Sequence, residues 1–228
     1  MRRIRPSVVL ISLLAVLSFA AAKPRFIQPQ DVDWESILSA PPADDSADHQ
    51  EEIATVLHWQ NKRTTQDVFR CRQEVDVDGF IFAQVLGDWF NPRMLPVTAD
   101  LLNQTSIDAK AISNTAKKKW NRTRPYDADM QIQPCIEKEP SASYPSGHAV
   151  RGIVWATVLS ELFPEHRDQL MALGRRIGDD RVIAGVHWPS DVEAGQKLGA
   201  AIAGKLMDNA DFKIEMQRAR EECLATVH

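Results

Sequence analysis

The stretch Gly147-His148-Ala149-Val150-Arg151-Gly152-Ile153-Val154-Trp155-Ala156-Thr157-Val158-Leu159-Ser160-Glu161-Leu162 decides the fold class. With Val150, Ile153, Val154, Ala156, Val158 and Leu159 it is the most apolar of the segments that read as helix. Pro164 separates it from a second helical pattern over about 164–183, and Pro189 opens a third that runs to about Met207. A charged segment, 210–225, shows a thin apolar face through Phe212, Ile214 and Met216. Upstream, Val97, Leu101, Leu102, Ile107, Ala111 and Ile112 form a stripe on a helix over 95–119. Val77–Leu86 reads as a buried apolar helix broken by Gly87 to Pro92. Residues from Asp48 to about Glu74 read as one helical segment. Pro125, Pro134, Pro140 and Pro145 make 121–145 a long loop, a length that in compact domains usually serves function. No alternating run of β-branched residues competes, so the expected fold is an all-α, compact helical bundle.

Composition bounds the rest. The 228 residues, 44% hydrophobic and 25% charged, suit one globular domain with a sizeable core. A net charge of −4 gives no basic footprint for nucleic acid. Arg2, Arg3 and Arg5, the apolar run from Val8 to about Leu17 and Ala20-Ala21-Ala22 read as a signal peptide over 1–22, too short for a membrane span. Removing those three arginines takes the net charge from −4 to −7. The expected mature protein is exported, soluble and free of the membrane. Residues 23–48, with Pro24, Pro29, Pro41, Pro42 and then Asp44, Asp45 and Asp48, read as an extended N-terminal arm, laid over the domain or mobile; the domain itself spans 49–228. Export permits one disulfide among Cys71, Cys135 and Cys223, with the pairing open. Sequons stand at Asn103 and Asn121.

Three clusters carry chemistry: Lys117 with Arg124-Pro125; Pro145-Ser146-Gly147-His148; and Arg181, His187 and Asp191. Singly, each has a plain structural explanation. Lys117 lies in a run of three lysines suited to a helix C-terminus. Arg124-Pro125 punctuates a loop, His148 follows a helix-starting glycine, and Arg181 after Asp179-Asp180 is an ordinary surface pair. His187 and Asp191, four apart, make a local contact. The ordered set K-x6-R-P, P-S-G-H, R-x5-H-x3-D is another matter. At about one chance in 20 per position, with ~100 choices for each free offset, its accidental occurrence is on the order of 10⁻⁷ per chain. Three cations, a hydroxyl, a helix-opening glycine, two imidazoles and a carboxylate suit a phosphoryl group, whose charge lies on three equatorial oxygens.

This pattern resembles the tripartite signature of the type 2 phosphatidic-acid phosphatase superfamily, which includes bacterial class A non-specific acid phosphatases and vanadium haloperoxidases. The segments Leu86-Gly87-Asp88-Trp89-Phe90-Asn91 and Tyr144–His148 are similar to the soluble acid phosphatase branch. The resemblance implies the all-helical fold of that group and a phosphomonoesterase. His187 is then the nucleophile, giving a phosphohistidine; Asp191 orients it, and His148 is the general acid and later the base. Lys117, Arg124 and Arg181 bind the phosphate, with Ser146 and the Gly147 N–H. His148 charged and His187 neutral predict a bell-shaped rate profile. The implied enzyme needs no metal and no cofactor, takes small phosphate monoesters, and is inhibited by vanadate. One departure stands out: the family usually has Ser before the third-motif Arg, where this chain has Asp180, expected to point away from phosphate. A glycan at Asn121 would crowd the site, which favours a bacterial periplasm over eukaryotic secretion. A homo-oligomer is compatible with all of this.

Other readings differ in class. A lipid- or pyrophosphate-directed phosphatase lacks the membrane spans, and a vanadate-dependent haloperoxidase is usually a much longer chain. A metallohydrolase using His148, His187 and Asp191 would place its metal among three cations. A periplasmic anion-binding protein explains the cations and Gly147 but not two histidines with an orienting carboxylate. His49, His58, His166 and His228 have no comparable company in the sequence, and the tryptophans read as core or pocket wall.

Overall fold

The computed structural model describes residues 23–227; the signal peptide expected over 1–22 and His228 lie outside them. In chain order the α-helices are α1 (Trp34–Ile37), α2 (Ala47–Lys62), α3 (Thr65–Gln73), α4 (Ala83–Leu86), α5 (Pro96–Trp120), α6 (Pro125–Ala128), α7 (Gly147–Leu162), α8 (Arg167–Ile183), α9 (Pro189–Asp208) and α10 (Ala210–Val227). Among the described residues there is no strand, and the fold is all-α.

The apolar sequence of α7 makes it the central helix. Ser146 caps its start, accepting from the Ala149 N–H at 3.4 Å, and Pro164 follows its end. α8 and α9 approach it until backbone meets backbone. A Cβ on Gly152 would lie 2.4 Å from the Gly174 carbonyl, and one on Gly195 would lie 2.6 Å from the Ser146 carbonyl. Only glycine permits such proximity. α5 and α10 complete the bundle around Trp155, Leu159, Leu198, Ile202 and Phe212, all of them buried.

Two expected elements differ. The segment expected as one helix from Asp48 to Glu74 is two, because Thr64 begins a new one. Its hydroxyl accepts from Asp67 N–H while the Asp67 carboxylate accepts from Thr64 N–H. That reciprocal cap outweighs the hydrophobic periodicity running through it. Val77–Leu86 forms a 3₁₀ turn (Gly79–Phe82) and then α4, not one helix; the Asp78 carboxylate bonds Phe80 N–H and sets the tighter turn.

Residues 23–48 are packed onto the bundle. The buried Asp108 carboxylate of α5 accepts from the backbone N–H groups of Arg25, Phe26 and Ile27 at 2.8, 3.0 and 3.2 Å. Phe26 meets Phe212 edge to face, and Trp34 meets Trp120. Phe26, Ile27, Val32, Trp34 and Leu38 thereby join the main core. Among the described residues no helix is long and apolar enough to cross a membrane. All three thiols are free; Cys71 and Cys135 pack in one small cluster and Cys223 lies apart on α10.

Candidate active site

The three motifs converge because their elements end at one place: the C-terminal turn of α5, the N-terminus of α7, and the turn from α8 into α9. A cavity of about 450 Å³ opens there, and Lys117, Arg124, Gly147, His148 and His187 line it. A Cβ on Gly147 would meet nothing within 4 Å, so the first turn of α7 faces open space.

His187 is fully enclosed by protein apart from the cavity. Its Nδ1 donates to Asp191 Oδ2 at 3.1 Å, which leaves Nε2 unprotonated, 3.5 Å from Arg124 Nη1. Burial, with Arg124 and Lys117 nearby, lowers its pKa to about 4 against the pull of Asp191. Asp191 is wholly buried in the first turn of α9 after Pro189. Its Oδ2 also accepts from Trp188 N–H at 2.8 Å and from the Ser143 hydroxyl, and its Oδ1 accepts from Arg122 at 2.8 Å. Burial pushes this carboxyl up, but those donors hold it below its ordinary value.

His148 donates from Nε2 to the carbonyls of Glu74 and Val75, at 3.1 and 3.2 Å. Burial and the charges of Arg181, Arg151 and His187 push its pKa well below the usual imidazole value. At neutral pH both imidazoles are therefore uncharged in the unliganded site, whereas the sequence suggested His148 charged; burial, with cations beside it, explains the difference.

The cations divide into two groups. Lys117 reaches the carbonyls of Ala142 and Ser143, and burial beside Arg124 lowers its pKa to about 8. Arg124 donates to Ser141, to the Val186 carbonyl at 2.9 Å and to Glu139 Oε2 at 3.0 Å. Arg181 lies behind the cavity wall, 1% exposed, with Nη2 on Glu74 Oε2 at 3.1 Å. Its Nε and Nη1 are buried without partners, donors left over for a ligand. Ser146 is buried as the α7 cap and does not line the cavity. Asp180 gives both carboxylate oxygens to Arg70, each at 2.7 Å, rather than to the cavity.

Sequence reasoning missed a layer behind Asp191. Arg122 bridges Asp191, the Ser190 hydroxyl at 2.8 Å and Glu52 of α2, and Glu52 Oε1 accepts from Ser190 N–H at 2.9 Å. His49, read as lacking company, is buried 3.4 Å from Arg122 and meets Trp188 edge to face. Arg122 stands two residues before Arg124, a signal that was available; nothing in the sequence marks Glu52. Glu139 and Ser141, which hold Arg124, were also missed. No group of three or more His, Cys, Asp or Glu side chains among the described residues could hold a metal ion.

Residues 102–212, which contain all three motifs, match the family described as PAP2 superfamily, and this part of the chain is a PAP2 superfamily domain. The chain is 37% identical over 134 residues to an acid phosphatase of Zymomonas mobilis, covering 56% of this chain and 50% of that one. It is 37% identical over 147 residues to a non-specific acid phosphatase of Salmonella typhimurium, covering 62% and 59%. It thus spans between half and three fifths of the length of these curated relatives. A bacterial vanadium-dependent iodoperoxidase shares the fold, with a TM-score of 0.60 at 18% identity over 78% of this chain and 53% of that one.

Proposed function

We propose that the protein is an exported, periplasmic acid phosphatase that hydrolyses small phosphate monoesters through a phosphohistidine, without a metal or cofactor. The observation that carries the reading is the state of His187: Nδ1 tied to Asp191, and an unprotonated Nε2 beside Arg124 at a cavity. The relatives named acid phosphatase support the substrate class. The charged n-region, apolar run and alanines of residues 1–22 support export.

In this mechanism the Nε2 lone pair of His187 attacks phosphorus, and the ester P–O bond breaks as the P–N bond forms. Lys117, Arg124, the free donors of Arg181 and the N-terminal N–H groups of α7 stabilise the equatorial oxygens. Ser146 acts behind them, as the cap that orients the first turn of α7. Asp191 balances the positive charge that builds on His187. His148 binds its proton together with the substrate, because a monoester monoanion carries one and the dianion left behind raises the imidazole pKa. It protonates the leaving alkoxide from Nδ1, its other nitrogen being held by Glu74 and Val75. It then takes a proton from the water that attacks phosphorus and breaks the P–N bond. The same pentacoordinate geometry makes vanadate an inhibitor.

The test is p-nitrophenyl phosphate hydrolysis over pH 4–8 with excess chelator, comparing wild type with His187→Ala. The expected result is chelator-resistant turnover, absent in the variant, with acid-labile label on the wild type after quenching with radiolabelled substrate. Turnover lost to chelator, or retained in His187→Ala, would overturn the mechanism.

A further inference from the structure

The cavity contains two cations that phosphoryl transfer leaves idle. Arg151 follows His148 by three residues on α7, so the two side chains emerge on the same face, about 5–6 Å apart at Cβ. The arginines of the reaction site spend donors on protein: Arg122 on Asp191 and Glu52, Arg124 on Val186 and Glu139, Arg181 on Glu74. Arg151 makes no hydrogen bond or ion pair with any described residue; its guanidinium lies 5.6 Å from the Trp155 ring centre. Lys110, two turns before Lys117 on α5, faces the same cavity, also without a partner among the described residues. Asp76 and Glu139 are the acids of this cavity, and neither comes within ion-pair distance of Arg151 or Lys110. Burial holds the Arg151 guanidinium below its ordinary pKa against the more distant pull of Glu139 and Asp76, a penalty that an anion bound directly to it would relieve. Past Arg151 and Val77 lies a second cavity of about 340 Å³, walled by Phe80, Pro92, Leu102 and Trp155, with room for the remainder of an alcohol.

We infer that Arg151 and Lys110 form a second anion subsite, and that the preferred substrates are monoesters whose alcohol carries a carboxylate or further phosphate. The spacing along α7 sets that anion about one helical turn from the ester oxygen, the reach of a two- or three-carbon linker. Substrate class here rests on the phosphomonoesterase reading, and the subsite itself rests on the idle cations.

The test compares kcat/KM for propyl phosphate, 3-phosphooxypropanoate and 1,3-propanediol bisphosphate, which share a three-carbon chain and differ in the group at its far end. Wild type is expected to prefer the charged substrates by about ten-fold or more, the worth of one charge-assisted hydrogen bond. Preference for only one of them names carboxylate or phosphate as the natural group. Arg151→Gln is expected to lower the preference about ten-fold, Arg151→Lys to keep most of it, and Lys110→Ala to lower it less. Because each value is a ratio within one variant, a general loss of folded enzyme cancels. Equal kcat/KM for the three substrates in wild type, or an unchanged ratio in Arg151→Gln, overturns the subsite. If wild type turns over neither p-nitrophenyl phosphate nor these esters, the phosphatase reading fails. Calorimetry then decides the subsite alone: tighter binding of the bisphosphate than of propyl phosphate, lost in Arg151→Gln, upholds it, and equal binding overturns it.

Discussion

Replacing Arg122 by Met tests how much the fold and the reaction depend on the layer behind Asp191. Arg122, 3% exposed in its side chain, is the cation between Asp191 at 0% and Glu52 at 8%. Methionine keeps much of the volume but leaves two buried carboxylates facing each other without a bridge. Removing one member of a buried ion pair costs about 3–5 kcal/mol, a large part of the 5–15 kcal/mol that typically holds a domain together. Glu52→Gln keeps the shape and relieves one of the stranded charges. The double variant should therefore be more stable than the sum of the single losses predicts, by ~1–3 kcal/mol. Urea unfolding of wild type, both single variants and the double variant closes the cycle. Turnover is the second readout: Asp191 without Arg122 is freer to turn, so kcat with p-nitrophenyl phosphate should fall at least ten-fold in Arg122→Met while KM changes little. Additivity within about 0.5 kcal/mol would refute the bridge as an energetic unit. An unaltered kcat in folded Arg122→Met would refute its part in positioning Asp191.

Below the His187 pKa of about 4 the proposed nucleophile is protonated, so kcat/KM should drop there; it should also drop above the second ionisation of the ester, about 6 for alkyl phosphates. An ester with a more acidic second ionisation should move the upper limb down, and a limb that stays put would show that an enzyme group sets it. Because burial lowers the His187 pKa from 6.5 to about 4, the unfolded chain binds the extra proton first. Folding stability should then decline as pH falls through that window, measurable by urea unfolding at pH 7, 5 and 4. Glu139 occupies Arg124 at 3.0 Å in the unliganded site. Glu139→Gln should accordingly bind inorganic phosphate several-fold more tightly in product inhibition, and weaker binding would show that Glu139 assists the anion instead. Gly174→Ala would set a Cβ 2.6 Å from the Gly152 carbonyl, and a loss of about 1–3 kcal/mol should appear as a lower Tm.

Fold and site were legible to different depths. The bounds of α7 could be read from the sequence because its apolar run is bracketed by a Ser cap and a proline, and both signals act within a few residues. The break between α2 and α3 depends on one reciprocal cap at Thr64 and Asp67, hidden inside a continuous periodicity. The catalytic candidates were visible because their residue types recur at set spacings. What converges on them was not: Glu52 reaches Arg122 across 70 positions of chain, and a lone glutamate on an amphipathic helix has no mark of burial. Asp180 illustrates a third case. Its identity raised a conflict with phosphate, and only the position of Arg70 on α3, 110 residues earlier, shows where its charge is neutralised.

The glycine contacts between α7 and its neighbours also divide the site mechanically. Gly152 against Gly174 and Gly195 against Ser146 leave no layer of side chains to slide, so α7, α8 and α9 behave as one stiff block. That block carries His148, Arg181, His187 and Asp191. Lys117 and Arg124 belong to the end of α5 and the proline-rich loop after it. Side-chain bonds join the two parts: Arg122 donates to Asp191, Arg124 to the Val186 carbonyl and Trp188 to the Thr123 carbonyl. The spacing of the two imidazoles is thus fixed by backbone packing, whereas the cations opposite them are held in place by side-chain hydrogen bonds.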